Sequence, residues 1–459
     1  MEHIHFIGIG GTGLSAIATV LLEQGYTVSG SDLNESNLFE AVQKAGGSVM
    51  LGHRAENITG ADLVVRSSAV PENNVEVQAA LAAEIPVLKR SEFLGRMLAD
   101  KEVLAVAGSH GKTTTTSMLV WILSSLDQDP SFIVGGVVSN LGTNARSGSG
   151  ASFVIEADEY DHMFWGLYPD WAVITNVEHD HPDIVPTSSS FEQAFEGFVK
   201  NLKPTGHLVL CGEDQGAIRL KDQLSASQKL VSYGFAGTDW DYTALNLKVN
   251  PNAGTDFEVQ INEAGQVSTL SVSLQVPGKH NVLNALGAIA VAVGLGLDRD
   301  EITRTLGEFQ GSDRRFDIRG EFQGVLIVDD YAHHPTEIKK TLQAARDVYP
   351  SRRIWAVWQP HTYSRIMALS EGFYGAFDMA DKVVVLDVYP ARELKPEGFQ
   401  ITDLISSIRH DDVQHVASID EVVELLKIKL QPQDLLLVFT AGDAIEINDR
   451  IEETLAAKA

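Results

Sequence analysis

Two short apolar runs in this chain each end in a glycine-rich turn and pass straight into a helix-like stretch. The stronger is Val103-Leu104-Ala105-Val106-Ala107, which leads into Gly108-Ser109-His110-Gly111-Lys112-Thr113-Thr114. A strand, a glycine turn and a helix start in that order make a phosphate cradle. Glycines let backbone N–H groups turn inward around phosphate oxygens, the lysine meets the β- and γ-phosphates, and the hydroxyl after it faces Mg²⁺. Val106 stands where the full pattern asks for one more glycine, so a glycine turn capped by threonines is the plainer alternative. The other run, His3-Ile4-His5-Phe6-Ile7, enters Gly8-Ile9-Gly10-Gly11-Thr12-Gly13, and Gly30-Ser31-Asp32 ends the next strand-like run with an acid. That matches the dinucleotide fingerprint. The loop reads phosphates and a ribose, so it supports a nucleotide diphosphate without specifying nicotinamide. A third start, Val325-Leu326-Ile327-Val328, runs into Asp329-Asp330-Tyr331.

Apolar runs of this kind, alternating with helical stretches, are strands of parallel sheets buried on both faces. The fold class is therefore α/β, and the 459 residues divide into three parts. Residues 1–100 form a Rossmann-like unit. Residues 101–312 form a phosphate-loop unit with a mixed sheet and a small antiparallel sheet. Residues 313–459 form a third unit of alternating strands and helices. The antiparallel part is read from the alternation in Phe257–Ile261 and Thr269–Leu274, and an Ala- and Gly-rich helix follows from Asn281 to about Leu295.

Charge narrows the partners. With Lys+Arg at 35 and Asp+Glu at 62, the formal net charge is −27, which argues against a general nucleic-acid binder or a stable partner of anionic membranes. One cysteine, Cys211, excludes a disulfide framework and a cysteine-rich metal site. No apolar stretch reaches the roughly 18 residues of a membrane span, and Met1-Glu2-His3-Ile4-His5 lacks the basic start of a signal peptide. The expected compartment is the cytoplasm.

Polar clusters recur at strand ends. Carboxylates crowd Val154-Ile155-Glu156-Ala157-Asp158-Glu159-Tyr160-Asp161, where an acid would face Mg²⁺-ATP or merely cap the next helix. Thr175-Asn176-Val177-Glu178-His179-Asp180-His181 ends another strand; His179 reads as a solvated loop residue. Asn281 and Asn284 share a face of the Ala-rich helix, which suits a planar base, although Asn281 alone could be an N-cap. Arg314-Arg315 at the second junction suits a phosphate clamp on closure or a plain surface pair. The stretches Asp329 to Glu337 and Gln359-Pro360-His361-Thr362-Tyr363-Ser364-Arg365 put polar groups where α/β sheets bind ligands.

In this order, these clusters resemble the ATP-dependent Mur ligases of peptidoglycan synthesis over nearly the whole chain, most closely the branch that joins L-alanine to UDP-N-acetylmuramate. The resemblance implies an N-terminal Rossmann-like unit for the UDP moiety, a central ATPase and a C-terminal Rossmann-like unit for the amino acid. Gly10, Gly11, Thr12 and Gly13 would take the UDP diphosphate, with Ser31, Asp32, His53, Ser67, Ser68 and Ala69 around the uridine. Gly108 to Thr114 would bind ATP, with Lys112 on its outer phosphates. Thr113 and Glu156 would bind one Mg²⁺ and His181 a second. Asn281 and Asn284 would meet the adenine side. Arg315 and Asp330 would reach ATP on closure, and Tyr331, His333, His361 and Arg365 would line the alanine and muramoyl site. Lys112, His181, Arg315 and Asp330 would carry the catalysis. The implied chemistry is attack of the lactoyl carboxylate on the γ-phosphate, giving an acyl phosphate that the amine of alanine then displaces. A monomer or weak homodimer is expected.

Tyr160 stands where many members of that branch carry Ser, and a Tyr is also seen in the related branch that attaches a recycled tripeptide. That branch is the close alternative. Rivals from other classes are an NAD-dependent oxidoreductase, which leaves Gly108 to Thr113 idle, and a nucleotide switch, which leaves the third unit's His and Arg clusters idle.

Overall fold

The computed structural model describes residues 2–457 other than 183, 186, 238 and 264. Its strands fall into three sheets. The first holds β1 (His3–Ile7), β2 (Thr27–Asp32), β3 (Ser48–Leu51), β4 (Leu63–Arg66) and β5 (Val87–Lys89), all parallel, in the order β3-β2-β1-β4-β5. The order reverses beside β1. The glycine loop of residues 8–13 therefore opens at the switch point where such sheets bind ligands.

The central sheet has ten strands. They are β6 (Glu102–Ala107), β7 (Ser131–Val138), β8 (Thr143–Arg146), β9 (Ser152–Glu156), β10 (Trp171–Ile174), β11 (His207–Cys211), β12 (Lys229–Phe235), β13 (Tyr242–Val249), β14 (Thr255–Glu263) and β15 (Gln266–Leu274). Strand β6 lies between β9 and β10, parallel to both. Its phosphate loop therefore emerges beside the acid-bearing ends of two neighbours. The alternating stretches form the antiparallel β13–β15 as the pattern requires. They join the parallel strands through Tyr233–Phe235 on Tyr242–Ala244, so the mixed and antiparallel parts run on as one sheet. The Ala-rich helix spans Lys279–Gly294 and is buried along most of its length. It packs on the phosphate-loop helix Lys112–Ser125 in a shared apolar cluster, and its uniform apolarity reflects burial all round.

The third sheet orders β16 (Asp317–Phe322), β17 (Val325–Asp330), β21 (Asp434–Phe439), β18 (Arg353–Trp358), β19 (Lys382–Val385) and β20 (Val413–His415), with only β16 antiparallel. Both of its faces are covered by apolar clusters, as a parallel sheet requires. The first and central units share one cluster, in which Phe6, Ile17 and Leu21 belong with Phe153, Ile155 and Phe198. The last residue of the central unit is tied back into it by a Val138–Ser312 bridge and a Ser312–Ser117 hydroxyl pair at 2.8 Å, and the third unit begins with Asp313 N donating to Val137 O at 3.1 Å. No helix among the described residues is long and apolar enough to cross a membrane.

Candidate active site

The phosphate loop is shaped by two glycines that nothing else can replace. Gly108 has φ +138°, and a Cβ there would lie 2.0 Å from Thr175 Oγ1. Gly111 has φ +83°, and a Cβ would lie 2.4 Å from Asn284 Oδ1. Both conformations belong to glycine. The loop is braced from β10: Asn176 Oδ1 accepts from His110 N at 2.9 Å, while Thr175 Oγ1 and Asn176 Nδ2 donate to His110 O at 2.6 and 2.9 Å. Ser109 Oγ donates to Glu178 O at 2.6 Å.

The loop lysine is already paired. Lys112 Nζ lies 2.9 Å from Glu159, whose side chain is 2% exposed, and it also donates to the Gly108 and Ser109 carbonyls. Burial opposes its charge, but Glu159, Glu156 and Asp158 outweigh that and hold its pKa above the ordinary lysine value. Thr113 Oγ1 donates to Glu156 Oε1 at 3.0 Å, and Gly135 N donates to Glu156 Oε2 at 2.7 Å. Asp158 pairs with Arg90 of the first unit at 3.1 Å. Arg90, Thr12 and Gly13 of the first unit, and Gly135, Glu156 and Asp158 of the central unit, line a cavity of about 110 Å³.

A larger cavity, about 150 Å³, is lined by His110, Gly111, Thr113, Thr114, Asn281, Asn284, Arg315 and Asp330, all anticipated for ATP. Cys211 and Tyr233, which sequence gave no reason to expect, line it too. Burial pushes the Cys211 thiol up to about 11, so it stays protonated. Asn284 Nδ2 donates to Asn281 Oδ1 at 3.0 Å and Asn281 Nδ2 to Pro277 O at 2.8 Å, so the pair is fixed on one face. Asp330 accepts from Phe316 N and Ala332 N, each at 2.8 Å, which braces the second junction. Burial pushes its carboxyl up to about 7, against the pull of Arg315.

Around His110 the structure gathers groups that sequence reading had not connected. Its Nε2 lies 3.2 Å from Glu178 and its Nδ1 3.4 Å from Glu337, and its ring lies 4.4 Å from that of His334. Burial opposes the charge on His110, but the two glutamates outweigh it and raise its pKa to about 9. Atoms of His110, Glu178 and His334 approach within 4.8 Å of one another, as a cation site would need. His334 caps its helix by accepting from Thr336 N at Nδ1, which leaves the ring proton on Nε2, while His110 holds protons for two carboxylates. The cluster is proton-bearing.

A second group crosses from the central to the third unit. Arg365 Nε donates to Asp180 Oδ1 at 2.9 Å, with both side chains almost fully buried. Arg365 Nη1 donates to His361 Nδ1 at 2.9 Å, and Arg365 Nη2 reaches His181 Nδ1 at 3.5 Å. His181 Nε2 lies 3.8 Å from both Glu159 and Asp180, and its ring meets Tyr160 edge-on at 5.3 Å. His333 stands between Tyr331 and His361, with ring centroids at 5.5 and 5.7 Å. His179 is half-buried, with Nε2 on Val185 O at 2.8 Å. It is therefore not the solvated loop residue the sequence suggested.

In the first unit, Asp32 spends its carboxylate on Gly10 N at 2.9 Å and Asn34 N at 3.2 Å, fixing the glycine loop. Ser67 sits at the end of β4 beside Gly8, with Ser68 and Ala69 exposed after it. Ser31 departs from expectation. Its side chain is buried and its hydroxyl lies between His53 Nδ1 and Glu76 Oε2, at 2.9 and 2.6 Å. It can reach a ligand only through His53.

Three linked α/β units, a phosphate loop facing an acidic strand end, and a third-unit arginine, Arg315, lining the nucleotide cavity define a nucleotide-dependent ligase. The chain belongs to the Mur ligase family: the family's catalytic domain matches residues 3–102, its middle domain residues 106–292, and its glutamate ligase domain residues 314–442. It is 42% identical to the UDP-N-acetylmuramate–L-alanine ligase of Roseiflexus sp. (strain RS-1), covering 99% of each chain, and 40% identical to that of Caldanaerobacter subterraneus subsp. tengcongensis, covering 98% of this chain and 97% of the relative. Among solved structures it resembles the UDP-N-acetylmuramate–alanine ligase of Thermotoga maritima, with a TM-score of 0.82, 30% identity and 100% of each chain covered. It also resembles the murein peptide ligase of Psychrobacter arcticus 273-4, with a TM-score of 0.72, 27% identity and 99% of each chain covered.

Proposed function

We propose that this chain uses ATP to join L-alanine to the lactoyl carboxylate of UDP-N-acetylmuramate, working in the cytoplasm as a monomer or weak homodimer. Mur ligases are ATP-dependent, and the full-length relatives at about 40% identity carry this activity in their names. The observation that carries the reading is one cavity lined both by the phosphate loop and by Arg315 and Asp330 of the third unit. A nucleotide there touches both halves of a closing enzyme. The tripeptide branch, to which Tyr160 pointed, is not favoured by these relatives.

In this reading Lys112 leaves Glu159 for the outer phosphates of ATP. Thr113 and Glu156 offer hard oxygen donors in contact with each other, which fits Mg²⁺; the ion would supply charge to offset the phosphates, and His181 with Glu159 would hold a second. A lactoyl oxygen then bonds to the γ-phosphorus as its bond to the ADP oxygen breaks. The amine of alanine attacks the resulting acyl carbon, phosphate leaves with the C–O electron pair, and the amine gives up a proton. The 110 Å³ cavity between the first glycine loop and Glu156 is where a substrate held by its diphosphate would bring its carboxylate towards Glu156. Arg365 and the third-unit histidines close over the reacting end and keep water from the acyl phosphate.

The two histidines have opposite lone pairs. His333 Nδ1 donates to Tyr331 O at 2.9 Å, leaving Nε2 bare. His361 Nδ1 accepts from Arg365, leaving Nε2 protonated. Burial, helped by Arg365, lowers their pKa values to about 3 and about 4, so both are neutral at pH 7. His333 then suits the amine of alanine and His361 its carboxylate.

The test is ADP release with ATP, Mg²⁺ and UDP-N-acetylmuramate, comparing L-alanine with L-Ala-γ-D-Glu-meso-diaminopimelate. Turnover with alanine is expected; turnover with the tripeptide alone overturns the reading.

A further inference from the structure

Glu76 belongs to none of the motifs above, yet it is the hub of a buried polar cluster in the first unit. It lies in the first turn of the helix Val75–Ala82, capped by Asn74, and its side chain is fully buried. One carboxylate oxygen accepts from Arg54 N at 3.1 Å and from Asn57 Nδ2. The other accepts from Ser31 Oγ at 2.6 Å and His5 Nε2 at 3.3 Å, with His53 Nδ1 at 3.7 Å. Burial works against its charge, but these hydrogen bonds outweigh it and hold the carboxyl down to about 2.

This wiring fixes one proton. A serine hydroxyl has a single hydrogen, and Ser31 gives it to Glu76. Towards His53 Nδ1, at 2.9 Å, Ser31 can therefore only accept. Nδ1 must carry the ring proton, and in a neutral ring Nε2 is bare. No described residue hydrogen-bonds to that Nε2. His53 follows the carboxyl end of β3, beyond β2 as seen from the glycine loop after β1. A nucleoside whose diphosphate sits on residues 10–13 lies along these strand ends.

We propose that Glu76, acting through Ser31, holds His53 with a bare Nε2 as a hydrogen-bond acceptor for the N3–H of a uracil base, and so selects uridine over cytidine nucleotides. Cytosine has a lone pair at N3 and would face another lone pair. Glu76 is thus a positioning residue, and the inference rests on the UDP reading above.

The experiment measures UDP, CDP and ADP binding to the full chain by calorimetry, for the wild type, Glu76→Gln and Ser31→Ala. The wild type binds UDP roughly 10-fold or more tighter than CDP, the scale of one buried acceptor left facing a lone pair. Each variant brings that ratio within about 3-fold and leaves ADP binding unchanged, because the relay is cut at a different link. A variant that keeps the wild-type ratio, or that weakens all three nucleotides alike, overturns the proposal. Histidine ¹⁵N spectra of the wild type supply a readout independent of any variant: His53 shows a protonated Nδ1 and a bare Nε2, and the reverse pattern overturns it. A wild type that binds UDP and CDP equally removes this inference alone; one that binds neither removes the UDP reading as well.

Discussion

Lys112 and Glu159 form a buried ion pair at 2.9 Å inside the phosphate loop. Lys112 Nζ also donates to the second carboxylate oxygen of Glu159 at 3.0 Å. In the proposed reading, the outer phosphates of ATP would take the place of this carboxylate.

Breaking that pair tests the exchange. Glu159→Gln removes a buried partner, which costs about 3 kcal/mol in the nucleotide-free protein. Added Mg-ATP supplies a replacement, so the melting-temperature gap to wild type should narrow at saturating nucleotide. A gap that stays constant in a thermal-shift titration contradicts the exchange.

Lys112→Ala should lower the rate of ADP release by about 100-fold or more, since one preorganised charge aimed at the transferred phosphoryl group is lost. Steady-state ADP release measures it, and near-normal turnover would remove Lys112 from the chemistry.

The proton-bearing cluster predicts a pH dependence. His110 is raised from 6.5 to about 9. Its stabilisation is therefore complete below pH 6.5 and lost as pH rises through about 9. Asp330 is raised from 3.8 to about 7. For an acid of raised pKa, the folded state keeps a proton that the unfolded chain releases, so stability falls as pH climbs from 3.8 to 7. In urea midpoints read against pH, His110→Asn should flatten the upper part of the decline and Asp330→Asn the lower part. A His110→Asn variant with the wild-type slope above pH 6.5 counts against the assignment.

Arg365 and Asp180 tie the central unit to the third. Arg365→Ala leaves a carboxylate buried and unpaired, at a cost of about 3–5 kcal/mol of docking energy. Small-angle scattering should show a larger radius of gyration, and kcat should fall while the affinity for ATP alone changes little. An unchanged radius would mean that the apolar contacts hold the units without the pair.

The parts legible in the sequence are those whose chemistry is local. The strand–glycine–lysine order around Gly108 and the Asn281–Asn284 pair follow from short spacings, and the structure shows both; Thr113 and Glu156, far apart in the chain, were brought together only by the family resemblance. The parts that were not legible depend on pairings between distant residues. Glu159 reads as one acid among several until it meets Lys112. Glu178 and Glu337 belong together only because the segment after β10 and the first turn of the helix Pro335–Val348 meet beside His110. Thr143–Arg146 is polar and short, so nothing marks it as a strand until it pairs with Ser131–Val138. Glu76 looks like an ordinary first-turn acid, because its partners come from β1, from β2 and from the segment after β3.

The only cysteine, Cys211, is buried against the nucleotide cavity with a thiol that stays protonated. For a thiol-directed dye the native chain is therefore silent. A cysteine introduced at Leu394, which is 92% exposed in the third unit, would take one label, and another at Leu33, 66% exposed in the first, would take the second. Energy transfer between the two would then follow the approach of the outer units during turnover, without removing a native residue from the nucleotide cavity to make the measurement clean.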